Sequence, residues 1–259
     1  MSKDRLLSPL STRFTVPLGG AEAVTALAYT DRAATRVEAT LVLGHGAGAG
    51  QTSPFMVSFA AGLAARGLDV ITFNFLYTEQ GRRAPDRGPR LEACYRTVVE
   101  TARAGRAEVA ARPRRLGGKS MGGRIASQIA AAPERGSTDA TPAVDVAGLV
   151  LLGYPLHPPG RPDKMRDAHL PRVEAPMLVV QGSRDSFGTE DELRAVFDPL
   201  PAARLHVVEG GDHSLTIRRK SAPPREEIYG TVMDEIVRWV GAVVHSDNAD
   251  PPTLTGFGV

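Results

Sequence analysis

The stretch RRLGGKSMGGRIASQIAA, residues 114–131, decides the fold, because two different motifs overlap in it. Gly118, Lys119 and Ser120 form the end of a phosphate-binding loop, which also needs a glycine five positions before Gly118. That position is Pro113, which has no N–H group to offer a phosphate and whose φ angle is fixed. We therefore reject nucleotide binding at this loop.

The same stretch fits the turn that presents a nucleophilic serine. In the pattern Gly-x-Ser-x-Gly, a strand enters a tight turn, the serine takes strained backbone angles, and the glycines keep side chains out of the way. Gly118 and Gly122 flank Ser120 with this spacing. We predict a strand over residues 113–117 and a helix over 121–132. The pattern also occurs by chance in Gly-rich loops, so it needs catalytic partners elsewhere in the chain.

Two residues further along the chain are candidate partners of Ser120. A serine hydroxyl needs a base within hydrogen-bond reach, and the base needs a carboxylate that orients it. Asp185, in QGSRDSFG, follows a predicted strand over 177–180, and His213, in EGGDHS, follows one over 204–209. The order serine, acid, histidine is the one this chemistry shows on α/β sheets. We predict Ser120, Asp185 and His213 as a catalytic triad.

Each partner has a simpler interpretation. Asp185 could cap a turn or the helix predicted from Glu190, and His213 could be a surface loop residue. Asp212 is a poorer acid because it directly precedes His213, and adjacent side chains usually diverge. The remaining candidate bases are predicted in a polar loop, within a strand and at the end of the last helix: His169, His206 and His245.

Acyl transfer also needs N–H groups that bind the developing oxyanion. The stretch LVLGHGAGAG, residues 41–50, follows a predicted strand in the first half of the chain, where this fold places one such donor. We assign the backbone amides of Ala47 and Met121 as the two donors.

The same loop matches a dinucleotide-binding fingerprint at Gly44, Gly46 and Ala49. Two features oppose that function. The next helix is predicted to begin only after Pro54, too late for its N-terminus to meet a pyrophosphate. The following strand, residues 70–73, ends in Asn74 where an acidic ribose ligand is expected.

Short continuous apolar runs predict parallel strands that are covered on both faces. Four of these runs alternate with helical patterns: residues 41–43, 70–73, 149–152 and 177–180. The predicted helices cover residues 55–66, 91–104, 121–132, 190–197 and 226–244. Residues 12–16 and 24–29 alternate around Gly19 and Gly20, which favours an antiparallel pair. The sequence therefore predicts a doubly wound α/β fold with N-terminal antiparallel strands.

The chain is predicted to form a single domain over residues 1–245, with a flexible tail over 246–259. Two segments rich in proline and arginine, residues 81–90 and 157–171, are interpreted as loops.

Composition excludes several function classes. The 31 Lys and Arg residues are interspersed with 29 Asp and Glu, so no basic surface for nucleic acid is expected. Cys94 is the only cysteine, which excludes a disulfide framework and a zinc site of paired cysteines. No apolar run suits a signal peptide or a spanning helix, so we expect a cytoplasmic protein that does not bind membranes.

Taken together, these motifs resemble the α/β-hydrolase superfamily over roughly residues 12–244. Five stretches are similar to the bacterial branch of the group related to testis-expressed protein 30 and the third subunit of the nonspecific lethal complex: GHGAGAGQTSPFM, FNFLYTEQGR, GGKSMGGRIAS, GYPLHPPG and QGSRDSFGT. The chain also resembles dienelactone-hydrolase-like proteins, although dienelactone hydrolases typically carry a cysteine where this chain has Ser120.

The resemblance implies a serine-hydrolase scaffold but no particular substrate. The predicted triad chemistry needs no metal or organic cofactor, and we expect a small carboxylic ester or thioester as the substrate. Some relatives are complex subunits, so an idle hydrolase fold that binds proteins is the alternative. In this fold lids are commonly inserted before the strand that carries the acid. Here that segment, residues 153–176, is short, which predicts an open cleft with a minimal lid. His157 and residues 75–77 could line the cleft, or could belong to an ordinary loop and strand end.

Lys119 and Arg124 flank the nucleophile. They could attract an anionic substrate, although a helix face in contact with solvent explains them equally well.

Overall fold

The fold is seen in a computed structural model that describes residues 11–30, 36–104, 114–134, 136 and 141–247. Its centre is an eight-stranded sheet in the order β1-β2-β4-β3-β5-β6-β7-β8. The strands are β1 (Ser11–Gly19), β2 (Glu22–Tyr29), β3 (Thr40–Gly44), β4 (Asp69–Phe73), β5 (Arg114–Lys119), β6 (Gly148–Leu152), β7 (Met177–Gly182) and β8 (Ala203–Val208). β2 runs antiparallel to β1 and β4, and the remaining neighbours are parallel.

Helices connect the parallel strands. They are α1 (Pro54–Ala64), α2 (Leu76–Glu79), α3 (Gly88–Ala104), α4 (Met121–Ala130), α5 (Glu190–Phe197) and α6 (Arg225–Asp247), with a 3-10 turn at Leu170–Arg172. None of the helices in these ranges is both long enough and apolar enough to cross a membrane.

The helices cover both faces of the sheet. Successive residues of β3 alternate between two apolar clusters: Leu41 and Leu43 pack into one, and Val42 into the other. Phe59 of α1 and Trp239 of α6 belong to the first cluster, whereas α3, α4 and α5 supply the second. Because the strands are buried on both sides, their apolar runs are continuous, as the sequence predicted.

The predicted α/β-hydrolase fold is confirmed, and most boundaries agree within a few residues. The N-terminal strands pair antiparallel, with Val16 opposite Val24. The strand predicted over residues 113–117 is β5, which runs from Arg114 to Lys119, and residue 113 lies outside the described ranges.

Two predicted loop boundaries were wrong. The segment predicted as a loop over residues 81–90 ends in the first turn of α3, where Pro89 fits because the first helical N–H groups have no partner. The other predicted loop, residues 157–171, runs into the 3-10 turn at Leu170–Arg172. α6 continues through Asp247, two residues into the predicted tail, and residues 248–259 lie outside the described ranges.

Parallel strands bring their carboxyl ends to one edge of the sheet, which is where open α/β folds bind ligands. β5 leads directly into Ser120, Asp185 follows β7, and His213 follows β8. The topology therefore places these residues at the same edge, although they are far apart in the chain.

Candidate active site

Ser120 forms a sharp turn between β5 and α4. Its φ of 52° and ψ of −116° fall in a region that side chains disfavour. The backbone N–H of Ser120 donates to the carbonyl of Leu152 at 2.9 Å, which ties the turn to the neighbouring strand. The turn projects the hydroxyl into a cleft at the sheet edge.

Glycines allow the backbones around the turn to approach closely. A Cβ atom on Gly122 would lie 2.1 Å from the carbonyl oxygen of Gly44, and one on Gly118 would lie 2.3 Å from the same oxygen. A Cβ on Gly117 would lie 2.0 Å from the carbonyl oxygen of Val150. These contacts explain why the start of α4 can rest directly on β3.

The structure brings Ser120, His213 and Asp185 into one hydrogen-bonded chain. His213 Nε2 lies 2.9 Å from Ser120 Oγ, and His213 Nδ1 lies 2.7 Å from Asp185 Oδ2. With the proton on Nδ1 donated to the carboxylate, Nε2 has a lone pair that accepts the serine hydroxyl. This arrangement can take a proton from Ser120 as its oxygen attacks a carbonyl.

The Asp185 carboxylate is fully buried and held by two further donors. Gln181 Nε2 donates to Oδ2 at 2.8 Å, and the backbone N–H of Phe187 donates to Oδ1 at 2.8 Å. Gln181 also accepts the N–H of Tyr154 at 2.7 Å, so its amide is fixed. Sequence reasoning missed Gln181, although a polar residue at the end of an apolar strand was a usable signal.

The loops that carry the acid and the histidine are packed against each other. A Cβ on Gly182 would lie 2.3 Å from the carbonyl oxygen of Gly211, so only glycine allows this approach. The Phe187 ring stacks on the His213 imidazole, with 4.2 Å between centroids and 28° between planes. Phe187 therefore limits rotation of the imidazole, and no sequence signal pointed to this role.

Asp212 lies beside His213 in sequence but is directed elsewhere. Its Oδ1 accepts the backbone N–H groups of Ser214 at 2.8 Å and Thr216 at 3.1 Å. Its Oδ2 lies 3.3 Å from Arg218. Asp212 thus shapes the turn after the histidine, as expected for adjacent side chains that diverge.

The other histidines that the sequence raised lie on other elements of the fold. His206 is on β8, His245 is on α6, and His169 Nε2 lies 2.8 Å from the hydroxyl of Ser127.

The loop after β3 lies next to Ser120. A Cβ on Gly46 would lie 3.6 Å from Ser120 Cβ, and Ala47 and Met121 both line the cleft. Within the described ranges neither amide of these two residues donates a hydrogen bond to another group. Both N–H groups are therefore free to bind an oxyanion.

His45 is buried beneath this loop and holds it in place through contacts of its ring nitrogens. The sequence did not predict this role. His45 Nδ1 lies 2.8 Å from the carbonyl oxygen of Gly46, while Nε2 accepts the N–H of Phe75 at 3.2 Å. Burial lowers the pKa of His45 to about 4, so the ring is neutral near pH 7. A neutral ring can donate from Nδ1 and accept at Nε2, as this position requires.

The cleft has a volume of about 580 Å³. Its walls include Pro155 and Arg166 from the β6–β7 connection, which carries only a 3-10 turn. The suggestion that His157 and residues 75–77 line it was wrong. His157 is buried with its Nε2 3.3 Å from Glu192, and residues 75–77 are buried in the core.

Comparisons with known proteins agree with this architecture. The model of a family described as "Alpha/beta hydrolase domain" matches residues 37–241. Dienelactone hydrolase from Anabaena variabilis is 20% identical with a TM-score of 0.64, covering 90% of this chain and 97% of that one.

Two further solved structures share the fold. XC6422 from Xanthomonas campestris, described as an α/β serine hydrolase without lid, is 18% identical with a TM-score of 0.62, covering 93% of this chain and 97% of that one. The esterase domain of a Rhodothermus marinus protein is 13% identical with a TM-score of 0.63, covering 90% and 98%. Since the family model spans most of the chain, the protein belongs to the α/β-hydrolase domain family.

Proposed function

We propose that this protein is a serine hydrolase that cleaves small carboxylic esters or thioesters through an acyl-enzyme. The observation that carries the proposal is the chain of hydrogen bonds from Ser120 Oγ through the His213 ring to Asp185, at 2.9 and 2.7 Å. The strained backbone at Ser120 supports it, because such strain persists at functional turns that the surrounding structure enforces.

In the first step, Ser120 Oγ attacks the carbonyl carbon while His213 Nε2 takes the hydroxyl proton. Asp185 stabilises the imidazolium that forms. The tetrahedral intermediate collapses when the bond to the leaving alcohol or thiol breaks and His213 returns the proton to that group. Water then attacks the acyl-enzyme by the same route, which releases the acid and restores Ser120.

We assign the backbone N–H groups of Ala47 and Met121 as the donors that bind the developing oxyanion. Both line the cleft beside Ser120, and a donor of this kind stabilises the transition state by about 3–4 kcal/mol. Met121 is also the first residue of α4, so the positive end of the helix dipole adds to the effect. His45 positions the loop that carries Ala47 through Gly46.

Small substrates fit the shape of the cleft. The β6–β7 connection forms one wall with no inserted lid helix, and the cleft of about 580 Å³ opens to solvent. A long acyl chain would leave much of its apolar surface in water there, which removes the hydrophobic gain of binding it. The lidless serine hydrolase and the esterase domain among the structural neighbours are consistent with this class.

A fluorophosphonate probe tests the proposal. The wild-type protein is expected to be labelled, and Ser120→Ala is expected to remain unlabelled while keeping its fold. A folded wild type that resists the probe and does not hydrolyse p-nitrophenyl esters would favour a protein-binding role. A series of p-nitrophenyl esters then tests the substrate class, with kcat/KM expected to peak at short acyl chains.

A further inference from the structure

Two arginines line the same cleft as Ser120. Arg124 lies one turn further along α4, and its backbone N–H donates to the carbonyl of Ser120 at 3.1 Å. Arg166 approaches from the β6–β7 connection and lines the cleft beside Pro155. The two arginines thus line the cleft from separate elements.

Neither arginine is neutralised by a carboxylate in the described ranges. Arg124 Nη1 makes one long hydrogen bond, 3.4 Å to Gln128, and its Nε is buried with no hydrogen-bond partner. Arg166 Nη1 donates to the carbonyl of Pro155 at 3.3 Å. A guanidinium has five N–H donors, so most of the donors on both residues remain free for a ligand.

The acid on the cleft wall, Asp86, does not balance these charges. Its Oδ1 is bound to Arg82 at 2.6 Å. Lys119 adds a further positive charge, but its Nζ is buried without a hydrogen-bond partner and lies 5.7 Å from the centroid of the Phe55 ring. Lys119 also lines the cleft, so the suggestion that Lys119 and Arg124 attract an anionic substrate remains a hypothesis, and the structure adds Arg166 to these two residues.

Nearby titratable groups respond to the uncompensated charge. Burial and the charge on Arg124 both lower the pKa of Arg166. Burial, together with Arg124 and Arg172, lowers the pKa of His169 to about 4. An anion bound between the two arginines would relieve their mutual repulsion.

We propose that this cleft binds a carboxylate carried by the substrate, held between Arg124 and Arg166 while Ser120 attacks the ester carbonyl. The substrate class is an ester or thioester with a free carboxylate, such as a half-ester of a dicarboxylic acid. This inference rests on the proposed function. Arginine suits the role because its planar fork pairs with both oxygens of a carboxylate.

Matched esters test the inference. The kcat/KM for mono-4-nitrophenyl glutarate is compared with that for its neutral methyl ester, after the uncatalysed rates are subtracted. The kcat/KM values for 4-acetoxybenzoate and methyl 4-acetoxybenzoate are compared in the same way, to test a carboxylate on the alcohol side of the ester. A preference of at least about tenfold for one anionic member is expected, as for a charge-assisted hydrogen bond. Raising the salt concentration is expected to reduce the preference.

Variants assign the preference to the arginines. Arg124→Gln and Arg166→Gln are each expected to lower the anionic-to-neutral ratio by about tenfold, while Arg124→Lys retains part of it. Arg161→Gln is the matched control, because Arg161 lies in the same connection but is exposed and pairs with Asp163 at 3.3 Å. Fluorophosphonate labelling of each variant confirms that its nucleophile is intact.

Two results would overturn the inference in distinguishable ways. Ser120-dependent hydrolysis of the neutral esters with an anionic-to-neutral ratio of one or less would refute the carboxylate site and leave the proposed function standing. Absence of Ser120-dependent hydrolysis with all four esters, together with no fluorophosphonate labelling, would refute both.

Discussion

At the scale of single residues, Asp185 and Asp212 differ sharply in their contacts. This difference predicts which of the two carboxylates supports catalysis. Asp185 Oδ2 lies 2.7 Å from His213 Nδ1, whereas Asp212 contacts the backbone of its own turn. We expect Asp185→Asn to lower kcat about 10⁴-fold, because an amide favours the wrong tautomer of the histidine.

The matched variant is Asp212→Asn, in which the amide oxygen can still accept both backbone N–H groups. Its kcat is expected to fall less than about tenfold, well short of the loss for a triad carboxylate. Steady-state hydrolysis of p-nitrophenyl acetate measures both variants. A larger loss in Asp212→Asn than in Asp185→Asn would show that the acid is misassigned.

The backbone angles of Ser120 predict a conflict between stability and activity. At φ 52° a Cβ atom is disfavoured by about 1–2 kcal/mol, and glycine lacks that atom. Glycine also loses more conformational freedom than alanine on folding, which offsets part of this gain. We therefore expect Ser120→Gly to be about 1 kcal/mol more stable than Ser120→Ala. Both variants lose hydrolysis, and urea unfolding measures the difference.

The opposite order is expected at an ordinary helical position. Ser58 is exposed within α1, so Ser58→Gly should be about 1 kcal/mol less stable than Ser58→Ala. If Ser120 followed the same order as Ser58, the turn would not be strained.

The sequence could predict the three residues that the structure joins in one hydrogen-bonded chain, whereas most of the groups packed around them could not be predicted. Ser120, Asp185 and His213 each sit in a local pattern: a glycine-flanked turn or a polar residue shortly after an apolar strand. Phe187 on the imidazole and Arg166 on the cleft wall depend on how separate loops meet in space. No periodicity or spacing in the chain records such contacts.

At the scale of elements, the close contact between α4 and β3 depends on Gly122. An added Cβ would meet backbone atoms of Gly44, which cannot move aside as a flexible side chain could. We expect Gly122→Ala to lower the free energy of unfolding by about 3 kcal/mol and to reduce hydrolysis, because α4 carries Met121. Thermal unfolding and p-nitrophenyl ester hydrolysis measure the two effects.

Gly241 in α6 is the control for this substitution. Outside the backbone of its own helix, no atom of the described residues lies within 4 Å of a Cβ placed there, so Gly241→Ala should stabilise the helix by about 0.5–1 kcal/mol. If the two substitutions changed the free energy of unfolding equally, helix propensity and not close packing would account for the effect of Gly122→Ala.

Elements were predictable where their pattern extended over several turns or a whole buried strand. The apolar runs of β3, β4, β6 and β7 identified them, because burial on both faces leaves no polar side in the sequence. α2 was missed, since its four residues are too few to show a helical period.

At the scale of the whole molecule, the fold determines the site through strand order. β5 lies beside β3 on one side and β6 on the other. The turn at Ser120 therefore meets the loop after β3 that carries Ala47 in one direction, and the β6–β7 connection that carries Arg166 in the other. The sequence predicted the parallel sheet, but the strand order and the resulting distances follow from packing across the entire chain. The cleft is therefore a property of the sheet edge and not of one motif.

Buried His45 and half-buried His169 predict how the stability of the whole molecule depends on pH. Burial lowers the pKa of both His45 and His169 from 6.5 to about 4 in the folded protein. At pH values between about 4 and 6.5, the unfolded chain binds more protons than the folded protein. The free energy of unfolding therefore falls as the pH drops through this range. Between pH 7.5 and pH 4.5 we expect a loss of about 2–3 kcal/mol for each histidine, and urea midpoints at these two pH values measure it.

His169→Gln is expected to remove about half of this acid sensitivity, because one of the two shifted groups is then absent. His157 gives a control of opposite sign. A hydrogen bond to the carbonyl of Pro158 raises its pKa, so it favours the folded state as pH falls. His157→Gln should leave the loss at pH 4.5 undiminished or slightly larger. If His169→Gln left the loss unchanged, protonation of groups other than this histidine would account for acid destabilisation.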